Sequence, residues 1–207
     1  MRSVPDRQRP HRRSIRLQGY DYSRSGAYYV TLCTQDRACF FGEVVDTDMH
    51  LNDAGRLVSD AWRALPDRFP PIVLDAFVIM PNHIHGVVVI TGDNTPVNDK
   101  DVVGAGLVPA HDVVPAHDGS IVRATTRVAP TLGDVIGAYK SVVTVQYARA
   151  VNTRGWPRFR KRLWQRNYHE HVIRNAESLN RIRRYILDNP QHWHEDRYNP
   201  NVRKGNE

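Results

Sequence analysis

The stretch DAFVIMPNHIHGVVVI, Asp75–Ile90, decides the reading of this chain. Two apolar runs flank Met80-Pro81-Asn82, and the second opens with His83-Ile84-His85. Side chains along a strand alternate between faces, so the two imidazoles point the same way, roughly 7 Å apart along the backbone. Ile84, Val88 and Ile90 take the opposite face. A buried strand is normally apolar, so two histidines that interrupt the pattern demand a compensating partner. Two imidazoles aimed together from a rigid strand make half of a divalent metal site.

Outward from this stretch, the chain alternates strand and helix signals. Ala27–Thr34 is β-branched and aromatic and reads as a strand. Phe40–Val45 reads as a second, with Met49–Leu51 pairing to it across Asp46-Thr47-Asp48. Asn52 or Asp53 caps a helix to about Leu65, where Leu57, Val58, Ala61, Trp62 and Leu65 recur at helical spacing and Pro66 stops it. This order suits an α+β fold, an antiparallel sheet with helices on one face. Thr131 caps a second helix to about Val151. His169–Ile173 reads as a further strand, and Asn175–Asn189 as a helix stopped by Pro190, with Leu179, Ile182 and Ile186 as its buried stripe. Gly92–Pro130 lacks either period and holds an internal echo, LVPAHDVVPAHD, so it reads as a long irregular insertion.

The chain has 207 residues, a formal charge of +7 and a pI near 9.7. That charge draws it to polyanions, nucleic acid above all. Cations concentrate in an N-terminal arm, residues 1–18, with Arg12, Arg13 and Arg16, and in RGWPRFRKRLWQR (Arg154–Arg166), with Arg158, Arg160, Lys161 and Arg162. In the second block cations suit phosphates, and Trp156, Phe159 and Trp164 suit stacking on unpaired bases. Lys140, beside the stripe of the second helix, is a further candidate for holding nucleic acid. No apolar run approaches the ~18 residues that cross a membrane. The two cysteines, Cys33 and Cys39, form no disulfide framework, which points to a reducing cytoplasm. The domain is expected over 19–190, followed by a polar tail, 191–207.

Two further His-x-His triplets occur, His169/His171 and His192/His194, but only the first opens a very apolar strand. Two imidazoles leave a divalent site incomplete, and Mg²⁺ or Mn²⁺ also takes oxygen ligands. Asn189 can supply a side-chain carbonyl and stands one helical turn beyond Tyr185. A free phenol, pKa about 10, is a poor nucleophile at neutral pH, and a cation at the scissile phosphate compensates.

Together, MPNHIHG (Met80–Gly86), YKS (Tyr139–Ser141), LWQRNYHEHVIRN (Leu163–Asn175) and RRYILDNP (Arg183–Pro190) resemble the HUH-type single-tyrosine transposases. The branch they most resemble is the REP-associated tyrosine transposases. SIRLQGYDYSRSGAYYVTLCTQDRACFFGEV (Ser14–Val44) also resembles that branch. The resemblance implies a ferredoxin-like, RRM-like antiparallel sheet with the histidine pair on a central strand. It implies cleavage of single-stranded DNA beside a repeat-associated hairpin, through a 5′-phosphotyrosine intermediate. His83 and His85 then match the metal pair, Tyr185 the nucleophile, and Asn189 the third-ligand position, where insertion-sequence members carry glutamine. Asn82 is expected to brace the histidine turn. Monomer and homodimer both stay open, and the expected location is the bacterial cytoplasm, in association with the nucleoid. Two rival readings are a non-catalytic RRM-like nucleic-acid-binding module and a metal-dependent nuclease that uses activated water.

Overall fold

The computed structural model describes residues 21–91 and 130–202. Arg12, Arg13, Arg16 and all of the expected insertion except Pro130 lie outside them. In chain order the elements are β1 (Gly26–Cys33), β2 (Gly42–Val45), β3 (Asp48–Leu51), α1 (Asp53–Arg63), a short α2 (Leu65–Arg68), β4 (Ile72–Met80), β5 (His83–Ile90), α3 (Leu132–Arg154), β6 (His169–Ile173) and α4 (Ala176–Asp188). Two 3-10 segments, Gln35–Arg37 and Pro190–Glu195, complete the list.

Four strands form one antiparallel sheet in the order β4-β5-β1-β6, and β2 and β3 form a separate hairpin. With α1 and α3 as crossovers, the main sheet has the β-α-β-β-α-β order of a ferredoxin-like domain. The chain is therefore α+β, with the histidine strand β5 inside the sheet and paired on both sides.

Side-chain parity divides the core in two. Tyr28, Val30 and Leu32 of β1 and Ile84, Val88 and Ile90 of β5 pack beneath α1 and α3 with Trp62, Val135, Ile136 and Tyr139. The opposite face carries Val87, Val89 and Ile173, and α4 covers it with Leu179, Ile182 and Ile186. Helices thus lie on both faces, against the expectation of one. The physical cause is that β5 is apolar at both parities from Val87 to Ile90, and a strand of that kind needs cover on each side.

Helix starts follow local chemistry. Asn52 Oδ1 accepts from Gly55 N at 2.9 Å, Asn175 Oδ1 accepts from Ser178 N at 2.8 Å, and Thr131 forms a capping box with Asp134. Each satisfies a donor that the first helical turn leaves unpaired. The prolines behave differently from expectation. α1 ends at Arg63, and Pro66 sits in the first turn of α2, where no N–H is needed. Pro190 likewise starts a 3-10 segment rather than ending structure.

Candidate metal and nucleophile site

His83 pairs with Cys33 on β1 and Met80 on β4, and His85 with Thr31 and Val78. Both imidazoles are completely buried on the face under α4. Asn82 fixes the first. Its Nδ2 donates to the carbonyls of Arg37 at 2.9 Å and Tyr198 at 2.8 Å. That orients Oδ1 toward His83 Nδ1, 2.8 Å away. A carboxamide oxygen only accepts, so His83 carries its proton on Nδ1 and presents the Nε2 lone pair.

That Nε2 lies 3.0 Å from His85 Nε2. On the far edge of the second ring, His85 Nδ1 is 2.7 Å from the Tyr29 hydroxyl and 2.9 Å from Thr31 Oγ1. Burial pushes His85 down to about 3, helped by Arg197 and His169, and His83 well below the ordinary imidazole range, helped by His85 and Arg197. Both are neutral at physiological pH, the form that ligates metal.

Two oxygens close on the pair. Asp196 Oδ2 is 3.6 Å from His83 Nε2, and the donor atoms of His83, His85 and Asp196 all lie within 4.8 Å of one another. Asn189 is buried beside His83, and among the described residues no hydrogen bond of good geometry reaches its Oδ1. An unpaired buried carbonyl is costly and calls for a partner. Two neutral imidazoles, a carboxylate and an orphaned carbonyl suit a divalent cation.

Tyr185 stands over this group. It is 48% exposed, and its hydroxyl lies 3.5 Å from His85 Nε2. Its ring sits 5.3 Å from that of His85 and edge-on to Tyr29 at 6.3 Å. The structure therefore brings Tyr185, Asn189, Asn82 and the histidine pair into one place.

Sequence reasoning missed Asp196, because the segment after α4 read as an uninformative polar tail. Instead it turns back over the site. The Tyr198 ring packs 4.7 Å from that of His83 and the Trp193 ring 6.0 Å from it. Arg37 Nη1 donates to the Arg197 carbonyl at 2.5 Å. Trp193 and Tyr198 were the available signal, since a solvated tail rarely carries two large aromatics. The other triplets stay outside: His169 and His171 are exposed on β6, and His192 bonds the Asp188 carbonyl at 2.9 Å.

Among the candidate nucleic-acid contacts, Lys140 Nζ donates to the carbonyls of Gln165 at 3.0 Å and Asn167 at 3.3 Å. Burial lowers its pKa to about 8. Lys140 thus props the end of the basic block and the loop after it. Arg158 is exposed. Arg160, Lys161 and Arg162, with Arg166, Gln35 and Asp36, line a cavity of about 520 Å³. Gln165 N donates to Cys33 O at 2.9 Å, and Thr34 N to Asn82 O at 2.9 Å, which ties this cavity to the His83 end of the sheet. The aromatics of the block pack against the core, two of them only in part. Trp164 is buried, and Trp156 and Phe159 pack on Tyr147 at 5.1 and 5.8 Å.

No family model matches the chain. It is 35% identical over 193 residues to an uncharacterized protein of Haemophilus influenzae, across 90% of this chain and 92% of that protein. Among solved structures, it is similar to a REP-associated tyrosine transposase bound to a REP hairpin, at 14% identity and a TM-score of 0.44, covering 86% of this chain and 73% of that one. It is also similar to a Deinococcus radiodurans protein provisionally assigned as a transposase, at 15% identity and a TM-score of 0.39, covering 84% and 95%.

Proposed function

We propose that this chain, which belongs to one family with the Haemophilus influenzae protein, is a metal-dependent transposase of the HUH single-tyrosine type. In this reading it cleaves and rejoins single-stranded DNA at repeat-associated hairpins. One observation carries the reading: a half-exposed phenol, Tyr185, stands 3.5 Å from a buried histidine pair at which two oxygen donors converge.

His83, His85 and Asp196 would hold the ion, with Asn189 as a further oxygen donor. Mg²⁺ or Mn²⁺ there would supply positive charge against the phosphate undergoing displacement. The chain does the rest. α4 presents the Tyr185 oxygen, which attacks phosphorus as the bond to the strand's 3′-oxygen breaks. The phenolic proton passes to solvent, and the departing 3′-oxygen takes one up. The products are a 5′-phosphotyrosine and a free 3′-hydroxyl, and attack by another 3′-hydroxyl reverses the step. Bond energy is conserved in the adduct, so no nucleotide hydrolysis is needed. Asn82 holds the His83 tautomer. The exposed cations at Arg158 and around the Arg160–Arg162 cavity suit the backbone of the bound strand, and the chain's basic arm adds to them.

The test is a denaturing gel of labelled single-stranded hairpins incubated with protein and Mn²⁺. The wild type is expected to give a covalent protein–DNA band that Tyr185→Phe loses. An adduct that survives this substitution would sink the assignment. Cleavage with no adduct would identify a water-activating nuclease, and binding with neither would identify an RRM-like binding module.

A further inference from the structure

Among the described residues the Tyr185 hydroxyl meets His85 at 3.5 Å and its ring lies 5.3 and 6.3 Å from those of His85 and Tyr29, contacts too long to fix where α4 holds it. The apolar stripe of α4, Leu179, Ile182 and Ile186, rests on the sheet. Such contacts fix the distance of a helix from a sheet better than its roll about its own axis. At ~100° per residue, Arg183 and Tyr185 project from opposite flanks of that stripe.

The Arg183 flank is locked. Arg183 Nε donates to Asp75 Oδ1 at 2.8 Å and Nη2 to Oδ2 at 2.6 Å, a two-pronged pair. Asp75 sits where the β4–β5 register shifts, between Leu74 and Phe77. Its Oδ1 also accepts from Ala76 N at 2.7 Å, which stiffens the carboxylate. The pair is about four-fifths buried, with side chains 21% and 19% exposed. Arg183 Nη1 further bonds Asn180 Oδ1 at 3.1 Å.

We propose that the Asp75–Arg183 fork sets the roll of α4 and thereby the reach of Tyr185 toward the histidine pair. Arg183 and Asp75 are positioning residues in this scheme, which rests on the reading of Tyr185 as nucleophile. The lever is short and steep. A phenol at least ~6 Å from the helix axis moves by about 1 Å for a roll of ~10°, and 1 Å of misplacement costs on the order of a hundredfold in rate.

The experiment uses Arg183→Lys, which keeps the charge but loses the fork, and Asp75→Ala. Adduct formation is followed in a single turnover at saturating hairpin DNA, beside DNA affinity, thermal melting and the ¹⁹F spectrum of 3-fluorotyrosine placed at 185. Both variants are expected to slow adduct formation about tenfold or more while DNA affinity stays within about twofold. Both are also expected to shift or narrow the fluorine line of residue 185 at temperatures where they remain folded. An Arg183→Lys protein with the wild-type rate overturns the proposal, as does a rate loss that only tracks the unfolded fraction. If the wild type forms no adduct, the transposase reading falls alone: the fluorine line still decides whether the fork holds Tyr185, and an unchanged line refutes it.

Discussion

The carboxamide of Asn82 does more at the candidate site than its place in a turn suggests. With both donors spent on the Arg37 and Tyr198 carbonyls, its oxygen is turned to His83 Nδ1. Substitution Asn82→Ala is expected to free the His83 tautomer and weaken Mn²⁺ binding by about 10–100-fold. Titration calorimetry on the folded variant measures this, and an unchanged affinity would show that the tautomer is set elsewhere. At this scale the sequence disclosed much. His83 and His85 were legible because polar residues in a buried strand stand out against parity. Asn189 was legible as a side-chain carbonyl one turn after a tyrosine. Asp196 was not, because no local period connects an acid beyond a proline to a strand 113 residues earlier, 196 less 83.

The strand β5 serves two faces at once, and Gly86 shows how closely. It lies between the histidines and α1, where a Cβ would meet Trp62 Cζ2 at 2.5 Å. Gly86→Ala is expected to push the indole away and cost about 1–3 kcal/mol, read as a lower midpoint in urea. A neutral result would mean that α1 packs more loosely than described. The elements themselves were largely readable, because strands, caps and stripes are local patterns. What local patterns left out was the side on which each element packs. The cover on the second face was implicit in Val87-Val88-Val89-Ile90, yet α4 looked like one more helix for a single layer. The packing of Trp156 and Phe159 on Tyr147, and of Trp164 on Phe41 and Tyr139, was hidden for a similar reason, since these partners belong to other segments.

Across the whole molecule, charge and protonation work on the same construction. The chain is strongly basic at +7, yet the two imidazoles at its centre stay uncharged, with His85 held near pKa about 3 by burial. The unfolded chain takes up protons at these histidines below pH ~6.5, whereas the folded one does not. The metal-free protein is therefore expected to keep this stability above pH ~6.5 and lose it progressively toward about pH 3. Replacing His85 by Leu should flatten that part of a melting-temperature profile against pH, and an unchanged slope would count against a buried neutral pair. At this scale the succession of strands and helices disclosed an antiparallel sheet with helices, and the ferredoxin-like order was implied only by the family resemblance. The return of the final segment over the sheet was not, because it follows from long-range packing alone.

That return has a consequence for biosynthesis. The Asn82 side chain and the Tyr198 carbonyl it binds are 116 residues apart, so the histidine strand leaves the ribosome long before the residues that close over it. A nascent chain, folding from its N-terminus, displays two bare imidazoles and no acid beside them. On the proposed reading, the donor set is complete only once Asp196 has been made.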